Sequence, residues 1–130
     1  MFAFVWSALA GWIAVLALVL VSLLPFALRR LRVAGKTRRN AMRAHYILGF
    51  AVLGFSLIHA SSPMSAGLMR SSDQMGLWIA TFALVGLIVQ LALGIELRAA
   101  PVATGLRRSH FLVMLAAVGL IAGHVALDLA

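Results

Sequence analysis

The sequence predicts an all-α membrane protein: a single transmembrane domain over residues 1–130, folded as a four-transmembrane-helix bundle built from a tandem two-helix repeat. Three observations predict it. The composition is 64% hydrophobic and 11% charged, too little charge to clothe a soluble domain. The apolar residues gather into four long blocks separated by short polar stretches. The two halves of the chain also match each other at a fixed offset.

The first block, about residues 2–28, contains no charged residue and is long enough to cross the hydrocarbon core as a helix. No basic residue precedes it, and its apolar run far exceeds the core of a secretory leader, so a retained span is expected. The second block covers about residues 42–61, the third about 75–97 and the fourth about 109–128. Each meets the roughly 20 residues that a spanning helix needs. A helix is the expected form because it satisfies its own backbone groups in lipid.

Charge sets the expected topology. The formal net charge is +8, and the first loop, RRLRVAGKTRRNAMR, carries seven of the eleven Lys and Arg residues. The middle loop has Arg70 opposed by Asp73, and the third loop has Arg98, Arg107 and Arg108. The excess of cations predicts loops one and three on the cytoplasmic side and both termini on the other, in a bacterial cytoplasmic (inner) membrane. Basic clusters beside spans commonly set topology or meet anionic lipid headgroups, so the lipid bilayer is the expected partner and nucleic acid is not. Cysteine is absent, which excludes disulfides, thiolate metal sites and covalently attached c-type haem.

Displacing the sequence by 65 residues places Arg43 on Arg108, His45 on His110, Gly54 on Gly119 and His59 on His124. Tyr46 meets Phe111, and Gly11 meets Gly76. All four histidines thus fall into two equivalent pairs. With two spans per unit, the copies share one orientation, and helices two and four run parallel.

The histidines of each pair are fourteen residues apart (59 − 45 and 124 − 110). That spacing advances a helix by about 21 Å and brings the second ring back to within roughly 40° of the first. His45 is then expected to face His110 near the cytoplasmic edge, and His59 to face His124 near the opposite one. A zinc site generally needs three or four protein ligands, and a proton relay normally includes carboxylates. The only acids are Asp73, Glu96 and Asp128, in loops or at span ends. A haem iron needs two axial ligands, and helix bundles supply them from facing helices. The expected cofactors are two haem b groups with bis-histidine ligation, between helices two and four. A lone intramembrane histidine commonly serves as an interhelical hydrogen-bonding residue, and the matched pairs weigh against that reading here.

RAHYILGFAVLGFSLIHA and RSHFLVMLAAVGLIAGHVAL resemble the paired haem-ligand helices of ferric reductase-like transmembrane domains, including the NADPH oxidase haem core. They are also similar to the ligand helices of respiratory cytochrome b and of the bacterial cytochrome b561 group. The shared pattern is two histidines thirteen or fourteen apart on each of two helices, with basic residues just before the first ligand. The resemblance covers spans two and four and implies His45 and His110 as ligands of one haem, His59 and His124 of the other. Ferric reductases of that type usually have six spans and often a flavin- and nicotinamide-binding domain. With four spans and no such domain in this sequence, any nicotinamide chemistry is expected to belong to a partner.

Arg43 and Arg108 precede the first ligands by two residues and suit either haem propionates or interfacial anchoring. Arg70 is the cation available on the outer side, and a solvated loop position also accounts for it. Gly49 lies on the histidine face of its helix, whereas Gly54 and Gly119 lie about 180° from it and are expected to serve helix packing. Ser56 is expected to bond a carbonyl of the preceding turn. Gln90 is expected to make an interhelical hydrogen bond rather than a quinone contact. Trp6, Trp12 and Trp78 fit an interfacial belt.

The expected function is transmembrane electron transfer, as a subunit of a hetero-oligomeric redox complex served by a partner protein or quinone. A self-sufficient quinol- or ferric-reductase-type oxidoreductase and a non-redox membrane anchor remain alternatives. A transporter is disfavoured because the spans carry no carboxylate away from their ends and no break beyond Pro25.

Overall fold

The computed structural model describes residues 2–65, 74–99 and 104–128, all of them helical or in the turn between the first two helices. Four helices follow in order: α1 (Phe2–Arg30), α2 (Gly35–Ser65), α3 (Gln74–Ala99) and α4 (Thr104–Asp128). All four are long and apolar enough to cross a membrane. The chain is a multi-pass, all-helical membrane protein by the length and composition of these elements. Arg70 and Asp73 of the middle loop lie outside the described residues.

The chain divides into two compact units, Met1–Gly67 and Leu68–Ala130. In the first, α1 packs antiparallel on α2. The α1 side of the contact is a stripe of Ser7, Ala10, Ala14, Ala17, Val21 and Leu28, all buried. From Ser7 to Val21 the spacing alternates between three and four residues, and Leu28 follows a full seven residues on, the period that keeps one seam facing a neighbouring helix. Three alanines and a serine let the helices come close, the packing mode available where lipid removes the hydrophobic drive for association. Val52 is the buried counterpart on α2.

The second unit is an α3–α4 hairpin with a smaller seam. Ala83 and Leu87 of α3 and Ala117 of α4 are buried. A Cβ added at Gly86 would stand 3.5 Å from that of Ala117, which is ordinary contact. Large apolar side chains otherwise point outward: Trp6, Leu16 and Leu23 on α1, and Trp78, Phe82 and Ile95 on α3, are all exposed. That surface is compatible with lipid contact and suits no aqueous one.

The helix ends depart from the apolar blocks in an informative way. α2 begins at Gly35, seven residues before the apolar block at 42, and α4 at Thr104, five before 109. Hydropathy marks the hydrocarbon boundary, whereas helix ends are set by turns and caps, and Lys, Arg, Ala and Met all propagate a helix well. α1 stops in a Schellman motif: Val33 N–H donates to Leu28 O at 3.0 Å and Arg32 N–H to Arg29 O at 3.2 Å. The left-handed residue that closes it is Arg32, at φ 52°. Gly35, at φ 63°, supplies the second left-handed residue at the very start of α2.

Candidate functional site: the histidines of α2 and α4

The local chemistry of α1 determines how the histidines of α2 are held. Pro25 has no N–H, so the Val21 carbonyl four residues upstream lacks its usual helical donor. His45 takes the place of that donor, its Nδ1–H donating to Val21 O at 3.0 Å. One turn from the start of α1, a different device serves His59. The Nδ1–H of His59 donates to Ser7 O at 2.9 Å. A side chain four residues on would stand over that carbonyl, and the residue there is Gly11. A Cβ at Gly11 would fall 2.8 Å from His59 Nδ1 and 3.1 Å from its Cε1, so the imidazole can approach only because the side chain is missing.

The clasp at Ser7 is reciprocal. Its hydroxyl donates to His59 O at 3.0 Å while its own carbonyl accepts from the His59 ring. Ser7 is buried, and both histidines are half-buried. Ser7→Ala removes the hydroxyl bond and leaves the carbonyl in place. The expected result is a loss of roughly 0.6–2 kcal/mol in α1–α2 stability, with the His59 ring bond retained. Unfolding in detergent micelles measures the first, and the histidine ring ¹⁵N shifts the second.

Two carbonyls fourteen residues apart on α1 (21 − 7) therefore meet two imidazoles fourteen apart on α2 (59 − 45). A carbonyl can only accept, so each imidazole carries its proton on Nδ1 and keeps the Nε2 lone pair for another partner. Fixing one ring nitrogen on a backbone carbonyl is how proteins usually orient a metal-binding histidine.

The second unit holds its histidines differently. His110 is half-buried, and its Nε2 lies 3.1 Å from the Gln90 side-chain amide nitrogen on α3. Gln90 thus makes the interhelical hydrogen bond expected of it, donating from its amide to the ring. The other end of that amide, Oε1, is buried with no hydrogen-bond partner. A Cβ at Gly94 would touch His110 Cε1 at 3.4 Å. His124 is half-buried near the end of α4.

Arg43 and Arg108 are exposed, each two residues before the first histidine of its helix and therefore about 200° around it. Open space adjoins Gly49. Gly54 and Gly119 are exposed and meet nothing within 4 Å of an added Cβ, so the packing expected of them is not made within their own hairpins. Neither helix has a reason there to come closer, because the seams run along other faces. Among the described residues, no three or more His, Cys, Asp or Glu side chains gather into a metal cluster.

Comparison with protein-family models, with curated proteins and with solved structures finds no match to this chain.

Proposed function

We propose that the chain is a bis-histidine, dihaem b-type cytochrome that carries electrons across a membrane as a subunit of a redox complex. His45 and His110 would hold one haem, and His59 and His124 the other. One observation carries the reading. His45 and His59 are each oriented by an Nδ1–H bond to a main-chain carbonyl of α1, the arrangement in which a histidine ligates a metal through Nε2.

A haem held by these histidines would supply reversible one-electron chemistry. The residues of this chain do the rest. Val21 O and Ser7 O hold the rings in one tautomer and orientation. The apolar outer faces of α1 and α3 keep water away. Arg43 and Arg108 lie at the depth of the first ligands but on the opposite helix face, so they act as nearby positive charge, which favours the reduced form, rather than as propionate contacts.

The tandem repeat is part of the same proposal. Its support is the division of the chain into units near its midpoint. A second support is the counterpart of Pro25 at an offset of 65, which is Gln90. Pro25 opens a carbonyl to His45, and Gln90 reaches His110 directly. On the proposed topology, loops one and three face the cytoplasm of a bacterial inner membrane, and electrons pass between partners or a quinone on opposite faces.

One observation favours a non-redox membrane anchor instead. Gln90 engages the Nε2 of His110, the atom that ligation needs, as an interhelical hydrogen bond. On the cytochrome reading this bond competes with iron. Gln90→Leu is then expected to raise haem affinity at the His110 site by about two- to tenfold, the equivalent of one net hydrogen bond. Haemin titration followed at the Soret band measures it. Pro25→Ala should act the other way at His45. It restores a helical donor to Val21 O and weakens haem retention there by a few-fold, on the order of one hydrogen bond.

The test of the proposal is a reduced-minus-oxidised visible spectrum of the purified protein with a pyridine haemochrome count. The expected result is two low-spin b haems per chain. A colourless protein from haem-replete cells would leave the anchor as the better account.

A further inference from the structure

We infer that the α1–α2 turn is a binding surface for anionic phospholipid headgroups, independently of any haem. Seven cations lie within fifteen residues here: Arg29, Arg30, Arg32, Lys36, Arg38, Arg39 and Arg43. All seven are exposed. The sequence contains no Asp or Glu before Asp73, so the unit Met1–Gly67 has no carboxylate with which to neutralise them. Their counter-ions come from outside it.

The backbone adds a second argument. Arg32 occupies the left-handed position of the Schellman turn, at φ 52°, where glycine is the residue of lowest strain. An arginine there is less favourable for the turn than glycine would be, and it adds a cation at the tip of the hairpin. Leu31, next to it, is 72% exposed between two arginines. An apolar side chain presented among cations suits a lipid interface, where the one enters the acyl boundary and the others meet phosphate. A free anion or a soluble acidic partner gives Leu31 no such place.

Helix geometry sets the depth. The basic start of α2, the nine residues Gly35–Arg43, rises about 13 Å along the helix. Lys36, Arg39 and Arg43 recur at three- and four-residue spacing and so form one stripe along this segment. His45 is about 180° from Lys36 around the helix and is bonded to α1, so the stripe faces away from α1. Cations are thereby offered through the thickness of the headgroup layer rather than at one level.

The experiment uses the full chain in nanodiscs of phosphatidylcholine with phosphatidylglycerol. Retained lipid is read by native mass spectrometry and thermal stability is read in parallel. The expected result is enrichment of phosphatidylglycerol around the wild-type chain. Arg32→Gly should reduce that enrichment by about fivefold, one interfacial cation's share, while leaving thermal stability unchanged or higher. Arg39→Gln, away from the turn, should reduce it by a similar factor and guards against a misfolded glycine variant. Equal retention of the two lipids, or variants that keep full selectivity, would overturn the inference and leave the cations as a topology signal alone. Loss of the enrichment in millimolar inorganic phosphate at constant ionic strength would overturn it in favour of a free-phosphate site.

Discussion

Replacing His59 with alanine is expected, on the proposed dihaem reading, to lower the haem content of the purified chain to about half, because one of the two proposed bis-histidine sites would be lost and the other left untouched. His124→Ala should do the same to the same site. The two together should be no worse than either alone, since residues acting as a unit are not additive. Combining His59→Ala with His110→Ala should instead remove nearly all haem, because each proposed site then lacks one ligand. The pyridine haemochrome count per chain distinguishes these combinations. If His59→Ala and His124→Ala were additive, the pairing of the first unit with the second would be wrong.

Gly11→Ala carries the next largest effect, although Gly11 ligates nothing. Its new Cβ would stand 2.8 Å from His59 Nδ1, closer than real contacts allow. The backbone of α1 is held by the buried seam from Ser7 to Leu28, so the ring must yield and the bond to Ser7 O is lost. Loss of such an orienting bond typically costs about 10- to 100-fold in metal affinity. Haem at the His59 site should weaken by that factor, with the His45 site unchanged. Gly76→Ala is the control: it occupies the matching place in the second half, yet a Cβ there meets nothing within 4 Å. Its effect should be small, and equal effects at both glycines would contradict the steric account.

The four helices were legible in the sequence because lipid imposes one requirement that composition reports directly: a long apolar run with its backbone bonds satisfied internally. Their ends were not legible. α2 starts at Gly35 because a Schellman turn and two left-handed residues fix the reversal, and a hydropathy profile carries no trace of them. The four histidines stood out in the sequence as polar groups in apolar spans. What holds two of them did not, since their partners are main-chain carbonyls, which every residue has.

A signal for those partners was nevertheless present. Gly11 and Pro25 are fourteen residues apart (25 − 11), the spacing of His45 and His59, and each exposes the carbonyl four residues before it. Reading proline as removing a carbonyl's donor and glycine as uncovering a carbonyl to a neighbour, rather than both as helix breakers, would have located both bonds. Ser7 shows the opposite case: a single hydroxyl at the end of a span reads as unremarkable until the hairpin places it on His59. The Gln90 bond was legible because an amide in an apolar span has to find a partner.

The central claim is that histidine pairs supply both axial ligands of each haem. The low-temperature electron paramagnetic resonance spectrum of the oxidised, purified protein tests it most directly. The account predicts only low-spin ferric signals of the bis-imidazole kind, with one of two components lost in His59→Ala. A dominant high-spin signal, or no haem signal from a haem-replete preparation, would contradict it.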